Sequence, residues 1–130
     1  MNIHESAENY LETILILSKT NPNVRSIDIA NELGFSKPSV SIAMKKLREN
    51  GYVSVDENGY IKLEKPGLEI AEKIYERHVV IGKLLESIGV DPEVATADAC
   101  RVEHVISEET FDKIKEFMSK DENLRNGTDD

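Results

Sequence analysis

The sequence predicts a mainly α-helical protein, with three short helices closed by a β-hairpin and then an all-helical second half. Three observations predict this. Six stretches read as helices, and only residues 52–63 read as two short β-prone runs around a turn. Between them lie "NPN", "GFS", "DENG", "KPG" and "GVDP", the Gly/Pro/Asn/Asp punctuation that ends helices and makes turns. Charge divides along the same line. Residues 1–65 carry eight Lys/Arg against nine Asp/Glu, whereas residues 66–130 carry eight against sixteen.

Residues 5–19 form an amphipathic helix, with Ala7, Leu11, Ile14 and Leu15 on or near one face and Tyr10 and Leu17 beside it. Residues 26–33 form a short second helix, with Ser26 as the expected N-cap. After the turn at "GFS", residues 37–50 form a third. Ser36 caps it, Pro38 suits its first turn and Gly51 stops it. Its Val40, Ala43, Met44 and Leu47 follow the i, i+3, i+4, i+7 spacing of a buried face. "YVSVDENGYIKL" is the hairpin, and Gly59 supplies the backbone freedom its turn requires. A long helix then runs from "KPG" to about Ser87, with a buried stripe of Leu68, Ala71, Ile74, Ile81, Leu85 and Ile88. Asp91 and Pro92 open a fifth helix to about Val105, and Ser107 caps a last one. The polar segment 121–130 is expected to be a disordered tail.

With 130 residues and 39% apolar content, the chain suits one compact domain or two small lobes. No apolar run approaches the roughly 20 residues needed to cross a bilayer, and "MNIHESAENY" lacks the regions of a signal peptide. A single cysteine forms no internal disulfide, which fits a reducing, cytoplasmic setting. No membrane partner is expected.

Helix, helix, tight turn, helix and hairpin, in that order, describe a winged helix-turn-helix. Ala30 lets two helices cross closely, Gly34 makes the turn, and Val40 locks the second helix of the pair onto the first. The net charge of −9 argues against a nucleic-acid partner, but residues 36–48 hold Lys37, Lys45, Lys46 and Arg48 and no acid. With Val40, Ala43, Met44 and Leu47 inward, the groove-facing set is Ser36, Lys37, Pro38, Ser39, Ser41, Ile42, Lys45 and Lys46. Lysines neutralise phosphates, serines bond phosphates or base edges, and Pro38 and Ile42 can press on thymine methyls. No Arg, Asn or Gln stands in the first two turns for bidentate base contacts, so direct readout is modest and a dimer on double-stranded DNA is implied.

"DACRVEHVIS" at 98–107 poses a second question. At about 100° per residue, Cys100, Glu103 and His104 span about 100° of arc, and the apolar stripe Ala95, Ala99, Val102 and Ile106 lies about 120° away. One face thus serves the core, and another gathers a thiol, a carboxylate and an imidazole. Three ligands from one helix do not close a site. His78, one turn after Ile74, is a further donor or a satisfied core histidine. Asn9 and Glu12, away from the first helix's apolar stripe, are further donors or a solvated face. A soft thiolate, imidazoles and hard oxygens together suit Fe(II), Co(II), Ni(II) or Zn(II), and suit Mn(II) less well.

The motifs "NYLETI" at 9–14, "SKPSVSIAMKKLRENGYV" at 36–53, "ERHVVIGKLL" at 76–85 and "DACRVEHVIS" resemble the metal-dependent repressors of the diphtheria toxin repressor and manganese transport regulator family. The resemblance covers about residues 5–118. It implies a homodimer whose divalent metal links the first helix of the winged domain to the dimerisation helices and sets the spacing of the recognition helices on operator DNA. It also implies repression of metal-uptake genes by Fe(II) or Mn(II). His78, Glu103 and His104 match family ligands. Cys100 matches the iron branch, where the manganese branch has glutamate, and Glu12 matches the manganese branch. Asn9 departs from both branches, which have aspartate or methionine there. Gly82 and Thr96 replace two residues of the iron branch's ancillary site, and no SH3-like third domain is expected.

The expected organisation is a winged helix-turn-helix DNA-binding domain at 1–65, a helical metal-binding and dimerisation domain at 66–120, and the tail at 121–130. Three other classes compete with it. One is a winged-helix regulator sensing a small molecule or oxidation of Cys100. A second is a small metalloenzyme with an open zinc position, and a third is a protein-interaction winged helix. No Gly-rich loop or second acid/base constellation supports an enzyme.

Overall fold

The structure is a computed structural model that describes residues 5–128, with side chains described for 5–120. Its elements are α1 (Glu5–Ser18), α2 (Ser26–Leu33), α3 (Lys37–Glu49), β1 (Val53–Val55), β2 (Ile61–Leu63), α4 (Lys65–Ser87), α5 (Pro92–Val102) and α6 (Glu108–Thr128). The chain divides into two compact units after Ile74, inside α4.

In the first unit, Leu11, Ile14, Val24, Ile29, Ala30, Val40, Met44, Leu47, Val53, Ile61 and Ala71 make one apolar core. Burying a large aliphatic side chain contributes about 1.5–3 kcal/mol, so the stripes of α1, α2 and α3 supply most of the drive. Ala71 belongs to this core and Ile70 packs against it, so the first turns of α4 are part of the hairpin unit. Gly67 is required there, because a Cβ would collide with the carbonyl of Tyr52.

The turn between α2 and α3 is built by Gly34, which adopts φ 70° and gives its N–H to the Ala30 carbonyl. The Ser39 N–H donates to Ser36 Oγ at 3.3 Å, which caps α3 as expected. The cap of α2 differs from expectation. Ser26 already lies in the helix, Arg25 is the N-cap, and its N–H donates to the Asp28 carboxylate at 2.8 Å. A carboxylate three residues on bonds the exposed N–H without needing a hydroxyl at the cap.

β1 and β2 pair antiparallel, with Val53 opposite Leu63 and Val55 opposite Ile61. Asp56 organises the wing's turn, since its Oδ1 accepts from Asn58 N–H at 2.8 Å and Tyr60 N–H at 2.9 Å. Gly59 takes φ 81°. The wing is tied to the helices where Ile61 N–H donates to the Val24 carbonyl at 2.7 Å.

In the second unit, Ile81, Ala99 and Phe111 form a small core, with Val80, Leu85, Val102 and Ile106 packed against it. Three expectations are corrected here. Ile88 is 70% exposed, because α4 ends at Ser87 and the stripe ends with it. α5 stops at Val102 rather than Val105, so Glu103 to Val105 form a turn. Residues 121–128, expected to be disordered, continue α6 to Thr128. No proline interrupts the segment after Ser107, and its first strong helix breaker is Gly127. Residues 129–130 lie outside the described residues. Among the described residues, no helix is long and apolar enough to cross a membrane.

Candidate metal centre and nucleic-acid interface

α3 presents two faces. Val40, Met44 and Leu47 are buried, while Ser36, Lys37, Pro38, Ser39, Ser41, Ile42, Lys45, Lys46 and Arg48 are exposed. All eight residues expected to face a groove are therefore available to one. Ile42, at 59% exposure, is a large apolar side chain held in water on this face. Ser36 Oγ donates to Ser39 Oγ at 2.8 Å, so these two hydroxyls act first on the helix terminus. On the wing, the Arg25 guanidinium stacks over Tyr60, 4.8 Å from its ring centroid.

The second unit gathers the acid and imidazole side chains. Glu103 is the C-cap of α5, in right-handed helical conformation, with its N–H on the Ala99 carbonyl. The helical spacing from Cys100 thus survives although the helix has ended. The Glu103 side chain is fully buried. His78 Nδ1, from α4, lies 3.1 Å from Glu103 Oε2, and His104 Nε2 lies 3.3 Å from Oε1. The His104 side chain is 3% exposed and that of His78 25%. The structure therefore brings together His78, Glu103 and His104, two imidazoles on the two oxygens of one carboxylate.

Other expectations change. On the ligand face at the end of α5, Glu103 is as buried as Ala99 of the core face. Cys100 is exposed on the last turn of α5. In the first unit, Glu12 is 4% exposed rather than part of a solvated face, and Asn9 is half-buried. Along α1, Tyr10 to Ile14 are all buried, more than a single apolar stripe predicts.

Residue-type reasoning missed Arg77. It is buried, and its Nη1 donates to the carbonyl of Glu103 at 3.1 Å and of Ile106 at 3.2 Å. Its guanidinium lies 5.3 Å from the centroid of the Phe111 ring. A signal was present in the sequence. The stripe of α4 passes from Ile74 to Ile81, and its intervening positions hold Arg77 and His78, two polar residues where apolar ones belong.

A buried carboxylate costs several kcal/mol unless it is paired or ligated. Nitrogen and oxygen donors converging in a buried place fit a divalent transition metal, and the residues present fit such an ion.

Comparison with known proteins agrees with both halves. Residues 2–61 match the iron-dependent repressor N-terminal DNA-binding domain. Residues 64–127 match the iron-dependent repressor metal-binding and dimerisation domain. The chain is 35% identical over 118 residues to an uncharacterized HTH-type transcriptional regulator of Methanocaldococcus jannaschii, covering 89% of this chain and 94% of that one. It is 34% identical over 116 residues to the transcriptional regulator MntR of Escherichia coli O6:H1, covering 89% of this chain and 75% of MntR. Among solved structures it is similar to the manganese regulator SloR, with a TM-score of 0.76 and 26% identity over 92% of this chain and 55% of that one. Over nearly its whole length, including the exposed helix α3 and the buried carboxylate of Glu103, this chain belongs to the iron-dependent repressor family of metal-dependent transcriptional regulators.

Proposed function

We propose that the chain acts in the cytoplasm as a homodimeric repressor, not an enzyme, that binds operator DNA when a divalent transition metal is bound. Fe(II) and Mn(II) are the proposed physiological ions, ahead of Zn(II), Co(II) and Ni(II). The observation that carries this is the buried Glu103 carboxylate between His78 and His104, in the unit matched as metal-binding. Glu103, His104 and His78 are the proposed core ligands. Cys100 is a further ligand within the same helical turn as Glu103, and Glu12 a further carboxylate from α1. Asn9, a neutral amide, is left outside the set.

When bound, the metal supplies positive charge and directional bonds that offset the cost of burying these donors. The chain does the rest. α3 offers Lys37, Lys45 and Lys46 to phosphates, and Ser41, Pro38 and Ile42 to base edges. Two such helices in a dimer read two half-sites, which makes up for modest readout by each. Repression of metal-uptake genes is the regulatory outcome we propose, and MntR of Escherichia coli O6:H1, a transcriptional regulator, supports a role in the control of transcription.

The test is binding to promoter-region duplexes, measured against a panel of divalent metals under anaerobic, reducing conditions. Fe(II) or Mn(II) is expected to raise affinity at least about tenfold, within the usual range of a coupling free energy. By reciprocity, operator DNA tightens metal binding by the same factor. Demonstrated metal binding with unchanged operator affinity would overturn the reading.

A further inference from the structure

The turn that follows α5 carries two of the proposed ligands and is anchored by a residue that is not itself a proposed metal ligand. α5 ends at Val102, so the carbonyls of Glu103 and Ile106 lie past the last regular turn of the helix. Both accept from a single nitrogen, Arg77 Nη1. Carbonyls at a helix C-terminus carry partial negative charge, and a buried cation there is favoured. The guanidinium is planar and rigid, and its position over Phe111 of α6 holds it from a second side. Among the described residues, Nε of Arg77 has no hydrogen-bond partner, so the hydrogen bonds of this side chain fall on the turn.

Arg77 and His78 are consecutive on α4. One bonds the backbone of Glu103 and the other touches its side chain. Glu103 is thus held at its backbone and at its side chain from the same helix, and His104, the next residue of the turn, moves with the backbone that Arg77 holds. A bond to the carbonyl of a liganding residue controls where its donor atoms stand. Support of this kind around a metal site commonly accounts for tenfold to a hundredfold in affinity, as order of magnitude.

We infer that Arg77 is a positioning residue for the metal centre, clamping the 103–106 turn so that the Glu103 and His104 donors are set before any ion arrives. The inference rests on the metal-binding reading proposed above. A purely structural role, satisfying two buried carbonyls, is the rival, and the two roles separate experimentally. Arg77→Lys keeps a positive charge near the helix terminus but loses the planar fork and the stacked guanidinium. Arg77→Met removes both charge and donors.

The experiment compares the native chain with Arg77→Lys, Arg77→Met and His104→Ala. Fold is read by circular dichroism and thermal midpoint without metal. Mn(II) affinity is read by titration, and ligand field by the visible absorption of the Co(II)-loaded proteins. The expected result is a folded Arg77→Lys protein whose Mn(II) affinity is weaker by about tenfold or more. Its Co(II) spectrum is expected to shift in band position or intensity, with a larger change in Arg77→Met if that variant folds. A folded Arg77→Lys protein with native Mn(II) affinity and an unchanged Co(II) spectrum overturns the inference. So does failure of both Arg77 variants to fold, since Arg77 is then a stability residue. If the native sequence binds no metal, or His104→Ala binds it as well as the native sequence does, the metal-centre reading itself fails, which is a different result from an Arg77 variant that behaves as native.

Discussion

The polar residues of α3 and those at the end of α5 stand in opposite surroundings. On α3 and its N-cap, eight candidate DNA-facing residues are all exposed, with their charges already solvated. At the end of α5, Glu103 is fully buried and lies between two imidazoles of its own unit. The surroundings decide how each set can work. Exposed lysines meet a polyanion by releasing counterions, so each adds a little and the effect fades with salt. A buried carboxylate with two imidazoles has already lost its water, so one ion there can change the free energy by several kcal/mol.

The strongest test of this contrast is Glu103→Gln. The amide keeps the shape but lacks the charge, and metal affinity measured by titration is expected to fall at least about a hundredfold, near 3 kcal/mol. Little loss would mean that the buried carboxylate is not the centre of the site. Next comes Met44→Ala, on the buried side of α3. It is expected to lower unfolding stability in urea by about 3 kcal/mol and to leave the lysine face chemically intact. A change much below this would show that the face assigned to the core is not packed.

Smaller effects are expected from Lys45→Ala with Lys46→Ala. Operator affinity should weaken similarly across DNA sequences, and the slope of log affinity against log salt should flatten by about one unit for each phosphate no longer neutralised. An unchanged slope would remove these lysines from the interface. The smallest effect belongs to Glu116 on α6, whose carboxyl is held below the usual glutamate range first by a hydrogen bond from Lys120, with Lys113 also close. A depressed pKa contributes stability that is present above the unfolded value and is lost as pH falls through the folded one. For so exposed a group, Glu116→Gln is expected to leave the thermal midpoint unchanged at neutral pH. A clear drop would show that surface charge matters more in this unit than its exposure implies.

The readable parts of the fold follow from short-range chemistry. The period of Val40, Met44 and Leu47 set the buried side of α3, and by elimination its exposed side. Ser36, Pro38 and Gly34 set its ends. "DENG" set the wing, because Asp56 and Gly59 are the residues such a turn needs. Reading by period was weaker where polar residues are buried. It left Glu12 as either a donor or a solvated face and set Glu103 on a face apart from the core, since a periodic pattern keeps carboxylates off the apolar stripe, yet both are buried. It passed over Arg77 because a long basic residue on a helix is usually exposed. It also carried α5 to Val105, although the backbone turns after Val102.

Local chemistry was enough to establish the element order, the helix-turn-helix and wing, the exposed basic helix, and the presence of Cys100, Glu103 and His104 within one helical turn. These depend on residues at most a few positions apart, where spacing and capping chemistry act directly. Packing alone established that Glu103 is buried, that His78 reaches it from 25 residues away, and that Arg77 holds the same turn by its backbone. Burial and long-range hydrogen bonds depend on how whole elements pack, and neighbouring residues carry no record of that.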